Sequence, residues 1–349
     1  MTPVYDIMAY CIRDITKEVV RELAEASCPR LGQVVQIRIG KVGPLAEEYS
    51  AIFKTPIPGP AYVGVTGITG DDHFYHEHGG TERAIMMYDS GHYADWREEK
   101  CPHPELFNYG GFGENIVCTN LTEDNVCVGD VYQVGEEVIL EVSEPRNPCY
   151  KLNLRYKWPR ALKRITRTGR VGWMLRVKRT GYISPGDPIR LVARPYPRWS
   201  CLNVKRVIQA KEVSLPLIQE LTEVGPLTEL VRNYACKRLA KTPKRYELVA
   251  SEKVASRVKQ LVLTLKEPFS FIKPEFPTFA FAQITFGDGR FSRSYSIVSG
   301  DMNRFTLGVA LDDKSRGGSE YLHHRLRVGD EIMMAVGGSP KAVEDEQTC

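Results

Sequence analysis

No apolar run in this 349-residue chain approaches the roughly 20 residues that a membrane-spanning helix needs. Nine cysteines are present, but no CxxC pair and no even, tight spacing. That excludes the patterns of a disulfide scaffold and of a zinc site, and it fits a reducing compartment, taken as the cytoplasm. The N-terminus lacks the unbroken apolar core of a signal peptide, and Asp6, Asp14, Glu18, Glu22 and Glu25 make it too acidic for a transit peptide. There is no internal repeat and no low-complexity tract. What remains is ordinary globular composition, 42% hydrophobic and 26% charged, long enough for two or three domains.

Acids are almost missing from one stretch. Between Lys151 and Lys211 there are 17 Lys or Arg and a single acid, Asp187. The plain reading is a solvated basic face; the sharper one is a docking surface for an anionic cofactor or an acidic partner. No nucleic-acid-binding motif accompanies the charge, so neither nucleic acid nor membrane is expected as a partner.

Periodicity divides the chain. Residues 1–30 are expected as an N-terminal helical extension, because Ile12, Ile15, Val19, Val20 and Leu23 recur at helical spacing. Short strands broken by glycine and proline follow, clearest at 34–39, 62–65, 126–130, 138–142 and 189–192. Helices are expected over 82–97 and near 158–168. From Asn203 to Lys241 the pattern is helical, with Ser214 and Thr222 as start signals and Thr242-Pro243 as the stop. Strands return at 246–254, 258–264, 279–286, 294–299, 305–311 and 331–334, with a helix near 318–326. The fold class is mainly β with α.

One cysteine stands apart from the other eight. Cys149 lies in Pro145-Arg146-Asn147-Pro148-Cys149-Tyr150-Lys151-Leu152, a stiff basic loop after an apolar strand. Two prolines restrict the backbone before it. A thiol held between Arg146 and Lys151 is expected to favour thiolate, the form that attacks electrophiles and binds soft metals. The bland alternative is a small buried hydrophobe. Two glycine-rich clusters lie upstream, His78-Gly79-Gly80-Thr81-Glu82-Arg83 and Gly110-Gly111-Phe112-Gly113-Glu114-Asn115. Adjacent glycines let backbone N–H groups approach an anion.

Together with Val128-Gly129-Asp130 and Thr168-Gly169-Arg170-Val171-Gly172-Trp173, these clusters closely resemble the MOSC domain. The following helices resemble the three-helix module of the YiiM-type branch. The resemblance implies a MOSC β-barrel with helices over 31–200 and a three-helix module over 201–243. It implies a molybdenum cofactor (Mo-molybdopterin) whose metal is ligated by Cys149, the one residue also expected to act in catalysis. His78, Gly79, Gly80, Arg83, Glu114, Asn115, Arg146 and Lys151 become candidates for the cofactor pocket. Members of this branch reduce N-hydroxylated compounds.

A second constellation lies in the last strands. Arg293-Ser294-Tyr295-Ser296 is followed about one helix later by Gly317-Gly318-Ser319. A tyrosine can stack on a planar ring, a serine can bond a ring nitrogen, and an arginine can pair with phosphate. In a β-barrel this pair of motifs resembles the flavin-binding domain of the ferredoxin-reductase superfamily. The resemblance implies an antiparallel six-stranded flavin-binding β-barrel over 244–336, with Arg293, Tyr295, Ser296, Gly317, Gly318 and Ser319 on the flavin. The Gly-Gly-Ser form favours FMN, with FAD as the alternative. The family's barrel leads into a pyridine-nucleotide domain; here a tail, 337–349, follows instead, so the chain is expected to be cut short of it. The cysteines of a plant-type [2Fe–2S] domain are absent too.

The reading that results is a molybdenum-dependent oxidoreductase acting on a small N-hydroxylated substrate, with electrons supplied through a flavin. Those electrons would come from an external NAD(P)H-dependent reductase or the missing C-terminal domain. The alternative is a carrier of molybdenum cofactor or of persulfide sulfur on Cys149. Pyridoxal phosphate binding is a weaker third reading, since no lysine has a recognisable Schiff-base context.

Overall fold

The computed structural model describes residues 14–74, 79–99, 101–269, 276, 280–287, 291–312, 314 and 316–337. The chain divides into two compact units, Met1–Asn233 and Tyr234–Cys349.

The first unit is built on β1 (Gly32–Gly40), β2 (Lys54–Ile57), β3 (Ile85–Asp89), β4 (Ile116–Thr119), β5 (Val131–Val134), β6 (Val138–Pro145), β7 (Trp173–Arg179) and β8 (Pro188–Ala193). They pair in the order β8-β5-β6-β7-β3-β4-β1-β2, and β8 also pairs with β1, which closes a barrel. Only β3 and β4 run parallel within this sheet. One apolar core fills the barrel, with Ile37, Ile85, Met87, Leu140, Val142, Trp173 and Leu175. A second, aromatic core lies on the other face of β3 and holds Met86, Tyr88, Tyr93, Trp96, Phe107, Phe112 and Tyr156.

That double burial corrects the expected helix over 82–97. The segment splits into a 3₁₀ turn at Thr81–Arg83, the strand β3, and a helix α1 at Gly91–Glu98. All five residues of β3 are buried. A strand covered on both faces reads as a continuous apolar run and loses the alternation that marks strands. Helices α2 (Lys151–Arg155) and α3 (Ala161–Thr168) follow β6.

Two further expectations fail. The segment 126–130 is a turn, with a single bridge from Cys127 to Ser200. The Asp130 carboxylate accepts from Cys127 N at 2.9 Å, and Gly129 turns at φ +82°, so the strand starts only at Val131. The N-terminal extension is not helical over its described part. A 3₁₀ turn at Ile15–Lys17 is followed by Val19–Val20, which pairs in parallel with Glu212–Val213. That pairing uses the backbone groups a helix would need, while Ile15, Val20 and Leu23 still bury their side chains.

Three helices follow the first barrel: α4 (Cys201–Gln209), α5 (Leu215–Glu223) and α6 (Glu229–Lys241). Ser200 caps α4, its hydroxyl accepting from Asn203 N at 3.1 Å. The division between the two units falls inside α6.

The second unit is a closed antiparallel barrel of β9 (Lys244–Ala255), β10 (Val258–Leu265), β11 (Phe281–Phe286), β12 (Phe291–Gly300), β13 (Arg304–Ala310) and β14 (Glu331–Gly337). The order is β9-β10-β13-β12-β11-β14, with β14 returning to β9. Alternate residues fill it, among them Tyr246, Leu248, Leu261, Leu263, Ala282, Ile284, Leu307, Val309, Ile332 and Met334. A short helix α7 (Gly318–His324) precedes β14. The mainly β fold class with two barrels and a helical module is the one expected from the sequence. Among the described residues no helix is long and apolar enough to cross a membrane.

Candidate cofactor sites

Cys149 is half-buried at the end of the loop from β6 to α2. The loop is fixed at both ends. Arg146 N donates to Gly172 O at 2.9 Å, and Leu152 N donates to Cys149 O at 3.2 Å. The Arg146 guanidinium turns inward. Burial pushes its pKa down, while Cys149, Tyr156, Glu114 and Tyr88 pull it back up. Its buried Nη1 finds no hydrogen-bond partner among the described residues, and neither do Arg155 Nε and the Tyr156 hydroxyl. Three donors from one loop-and-helix segment thus stand unsatisfied, and the Arg146 guanidinium among them interacts with the Cys149 thiol. Native interiors rarely leave such groups without an acceptor. The Tyr156 ring stacks on Phe107 at 4.0 Å, so its hydroxyl cannot swing away. A Cβ at Gly111 would stand 2.6 Å from that hydroxyl, which explains the glycine there.

The other pocket candidates divide. Glu114 is a brace: its carboxylate accepts from Tyr93 Oη at 2.5 Å, Gly110 N at 2.6 Å and Phe112 N at 3.1 Å. Burial pushes its pKa up against those bonds. Asn115 is a brace as well. Its amide accepts from Met86 N at 3.1 Å and donates to Asp71 at 2.8 Å. Arg83 pairs with buried Glu144 at 2.7 Å, and Thr228, just before α6, donates to the same carboxylate. Gly80 adopts φ +80° at the start of the 3₁₀ turn, and Gly79 lies against the His73 ring. His78 lies outside the described residues.

Lys151 does not face an open pocket. Its buried ammonium donates to Tyr49 O at 2.6 Å, lies 3.6 Å from Glu48 and sits 5.0 Å over the Phe74 ring. Tyr150 donates to both Glu48 oxygens at 2.6 and 2.7 Å. The two residues after Cys149 are therefore strapped to one hairpin, Gly43–Leu45 with Glu48–Ser50. Sequence reasoning missed Glu48 and Tyr49, whose partners lie 102 residues away. It also missed Lys205 of α4, which is 4% exposed. Burial pushes the Lys205 pKa down to about 8, against the pull of Glu144, and Arg146 adds to the push.

The basic stretch is largely neutralised within the chain. Arg164 and Arg170 pair with Glu99, Arg176 with Glu82 and Glu141, Arg194 with Asp130, and Arg206 with Glu18. The missing acids are supplied from other segments, so the bulk of this charge is structural.

In the second barrel, Phe291, Arg293 and Tyr295 alternate along one face of β12. A Cβ at Gly318 would lie 3.3 Å from Arg293 Cγ and 3.5 Å from Tyr295 Oη, so the glycine leaves a cradle beside both. Burial raises the Tyr295 pKa against the pull of Arg293. Ser296 points to the opposite, exposed face, away from these two. Ser319 is buried, its hydroxyl accepting from Asp312 N at 3.2 Å. Gly317, at φ +88°, packs on Phe291.

Comparison with known proteins settles the family. A MOSC domain is recognised over residues 75–190. The crystal structure of YiiM from Geobacillus stearothermophilus matches with a TM-score of 0.51 at 33% identity, covering 60% of this chain and 100% of that one. The chain belongs to the YiiM branch of the MOSC family. A protein of Gibberella moniliformis named "Reductase" is 51% identical over 340 residues, 96% of this chain. The chain spans 60% of that relative's length. Tetrachlorobenzoquinone reductase of Sphingobium chlorophenolicum is 44% identical over 63 residues, 18% of this chain and 19% of that protein. In one polypeptide the MOSC domain is thus followed by a closed six-stranded antiparallel barrel.

Proposed function

We propose that this chain is an oxidoreductase in which the MOSC domain holds a molybdenum cofactor through Cys149 and acts on N-hydroxylated compounds. Electrons would arrive through a flavin on the second barrel. The observation that carries the reading is the set of buried, unsatisfied donors on the segment that follows β6: Arg146 Nη1, which interacts with the Cys149 thiol, with Arg155 Nε and the Tyr156 hydroxyl. Donors of this kind fit a ligand rich in anionic oxygen. Among the described residues no group of three or more His, Cys, Asp and Glu is placed to hold a bare metal ion. A lone soft thiolate suits a metal that arrives with its other ligands already attached.

On this reading Cys149 supplies the protein's bond to the metal, and Arg146, Tyr156 and Lys205 hold the anionic part of the cofactor. Glu114 and Asn115 keep the glycine loop in place. Arg293 pairs with the flavin phosphate and Tyr295 packs on its ring, in the space left by Gly318. Bound, the molybdenum centre supplies oxygen-atom and two-electron chemistry, and the flavin passes electrons from a pyridine-nucleotide donor. In the overall reaction an N–O bond breaks, two electrons and two protons are taken up, and amine and water leave. The donor is an NAD(P)H-dependent reductase function outside the described residues.

The test is metal analysis and an absorption spectrum of protein made in a host that synthesises the cofactor, followed by turnover of an N-hydroxylated base with a chemical reductant. The expected result is stoichiometric molybdenum lost in Cys149→Ser. Molybdenum without turnover across a substrate panel rejects the reductase role. Full molybdenum in Cys149→Ser rejects the ligand.

A further inference from the structure

Among the described residues four lysines are buried: Lys54, Lys151, Lys205 and Lys244. Three of them are matched. Lys54 donates to the Asp71 carboxylate, Lys151 to Tyr49 O, and Lys244 to the carbonyl oxygens of Leu239, Ala240 and Thr242. Lys205, on α4, is not. It is 4% exposed, yet among the described residues its amine makes no hydrogen bond and no ion pair. The groups whose charge acts on it are Glu144 at the end of β6, Arg146 in the loop that follows, and Cys201 one turn back on α4. Glu144 is engaged elsewhere, one oxygen with Arg83 at 2.7 Å and the other with the Thr228 hydroxyl. The Arg146 cation works against a second positive charge beside it. Burial pushes the Cys201 thiol well up, so that it stays neutral.

We infer that in the cofactor-free protein Lys205 is a carbonyl-reactive amine, which forms an imine with a small aldehyde whose anionic group pairs with Arg146. The site shares Arg146 with the cofactor pocket proposed above, but it needs no metal. A buried ammonium without acceptors is costly, so this amine gives up its proton more readily than a solvated one. Burial holds the Lys205 pKa down at about 8. At pH 7 that leaves about 200 times the neutral fraction of an ordinary lysine. A desolvated lysine beside another cation is the form of the residue that attacks carbonyl carbon. The neutral nitrogen adds its lone pair to that carbon. The carbonyl oxygen takes up the two protons that the nitrogen loses, and water leaves as the C=N bond closes. No electrons are gained or lost. Arg146 supplies the second contact, because its buried Nη1 has no acceptor among the described residues and a carboxylate would satisfy it.

The full chain, made in a host that cannot synthesise the molybdenum cofactor, is incubated at pH 7 with glyoxylate and cyanoborohydride, which reduces the imine to carboxymethyl-lysine. Peptide mapping by mass spectrometry gives the rate at each lysine. Lys205 is expected to react at least about tenfold faster than the exposed Lys211, since restricted access takes back part of the gain in neutral fraction. With acetaldehyde, which carries no anionic group, that ratio should fall by at least about threefold. Lys205→Met should lose the label at this position alone, and the wild-type map decides by itself if that variant does not fold. A Lys205 rate equal to or below that of Lys211 overturns the inference. So does the same ratio with both aldehydes, which would leave Arg146 without a part. Neither outcome depends on molybdenum. A protein that takes up the metal, but whose cofactor-free form leaves Lys205 unlabelled, keeps the cofactor reading and loses this one.

Discussion

The two barrels carry their candidate sites in opposite ways. In the MOSC barrel the site is woven into the interior. Glu114, Asn115, Glu144, Arg170, Glu123 and His92 are all buried, and each is hydrogen-bonded or ion-paired within the first unit. In the second barrel the candidate flavin side chains on β12 reach solvent: Arg293 and Tyr295 are half-buried and Ser296 is exposed. Buried ionic groups that lose one partner leave an uncompensated charge, whereas surface groups return to water. The first site is therefore expected to fail through folding and the second through binding. All four tryptophans, at 96, 158, 173 and 199, belong to the first unit, so their fluorescence reports its unfolding separately.

The largest effect is expected at His92. Its Nε2 lies 2.7 Å from Glu123, whose other oxygen accepts from Gly172 N at 2.6 Å. Gly172 O in turn accepts from Arg146 N, so the pair holds the Cys149 loop from behind. His92→Gln removes the cation and should destabilise the first unit by about 3–5 kcal/mol. Denaturation followed by tryptophan emission measures it, and a loss near zero would break the contrast between the barrels. Acidity gives a second view of the same pair. Burial works against the charge on His92, but Glu123 and Asp95 outweigh it and raise the pKa to about 9. A histidine raised from about 6.5 contributes fully below that value and loses its contribution as pH rises through about 9. The tryptophan-detected midpoint should fall across that window in the wild type and stay flatter in His92→Gln.

Arg293→Ala sits next in size. Losing a charged hydrogen bond to phosphate should weaken flavin binding by about 1.5–3 kcal/mol, while thermal stability stays within the range of about ±0.5 kcal/mol typical of surface changes. Flavin titration and differential scanning calorimetry separate the two. Loss of fold with binding would mean that the second site is as embedded as the first.

The same contrast decides what could be read from the sequence. The strands of the second barrel alternate with one buried face, and each strand expected between 246 and 311 overlaps an observed one with its ends shifted by at most a few residues. The MOSC barrel hides β3 because both faces are covered, and hides the 126–130 turn because Asp130 redirects a backbone that looks like strand. The Cys149 loop is legible as a motif, but its supports are not. His92 and Glu123 are 31 residues apart, and Lys151 finds Tyr49 across 102. Lys151 illustrates this: next to Cys149 in sequence, a cation suggests a ligand contact, while in the fold it ties down a hairpin. Pairings at such separations leave no periodic trace, and only the fold brings them together.

The smallest effect concerns that hairpin and tests whether any part of the first site behaves like a surface. Glu48 is the one carboxylate of the strap that solvent reaches, at 36% side-chain exposure, and it holds Tyr150 and Lys151 together. Glu48→Gln keeps an acceptor for the tyrosine but removes the ion pair. For a partly exposed pair this amounts to about 0.2–1 kcal/mol, too little to unfold the barrel. It is enough to loosen the loop that ends in Cys149, and alkylation of Cys149 by iodoacetamide should speed up by about 1.5- to 5-fold, the same energy expressed as a population of open loop. Exposed Cys28 serves as the internal reference, because its rate should not change. An unchanged Cys149 rate would mean that the buried bonds from Arg146 N to Gly172 O and from Leu152 N to Cys149 O hold the loop by themselves. The strap would then add nothing to the rigidity of the site.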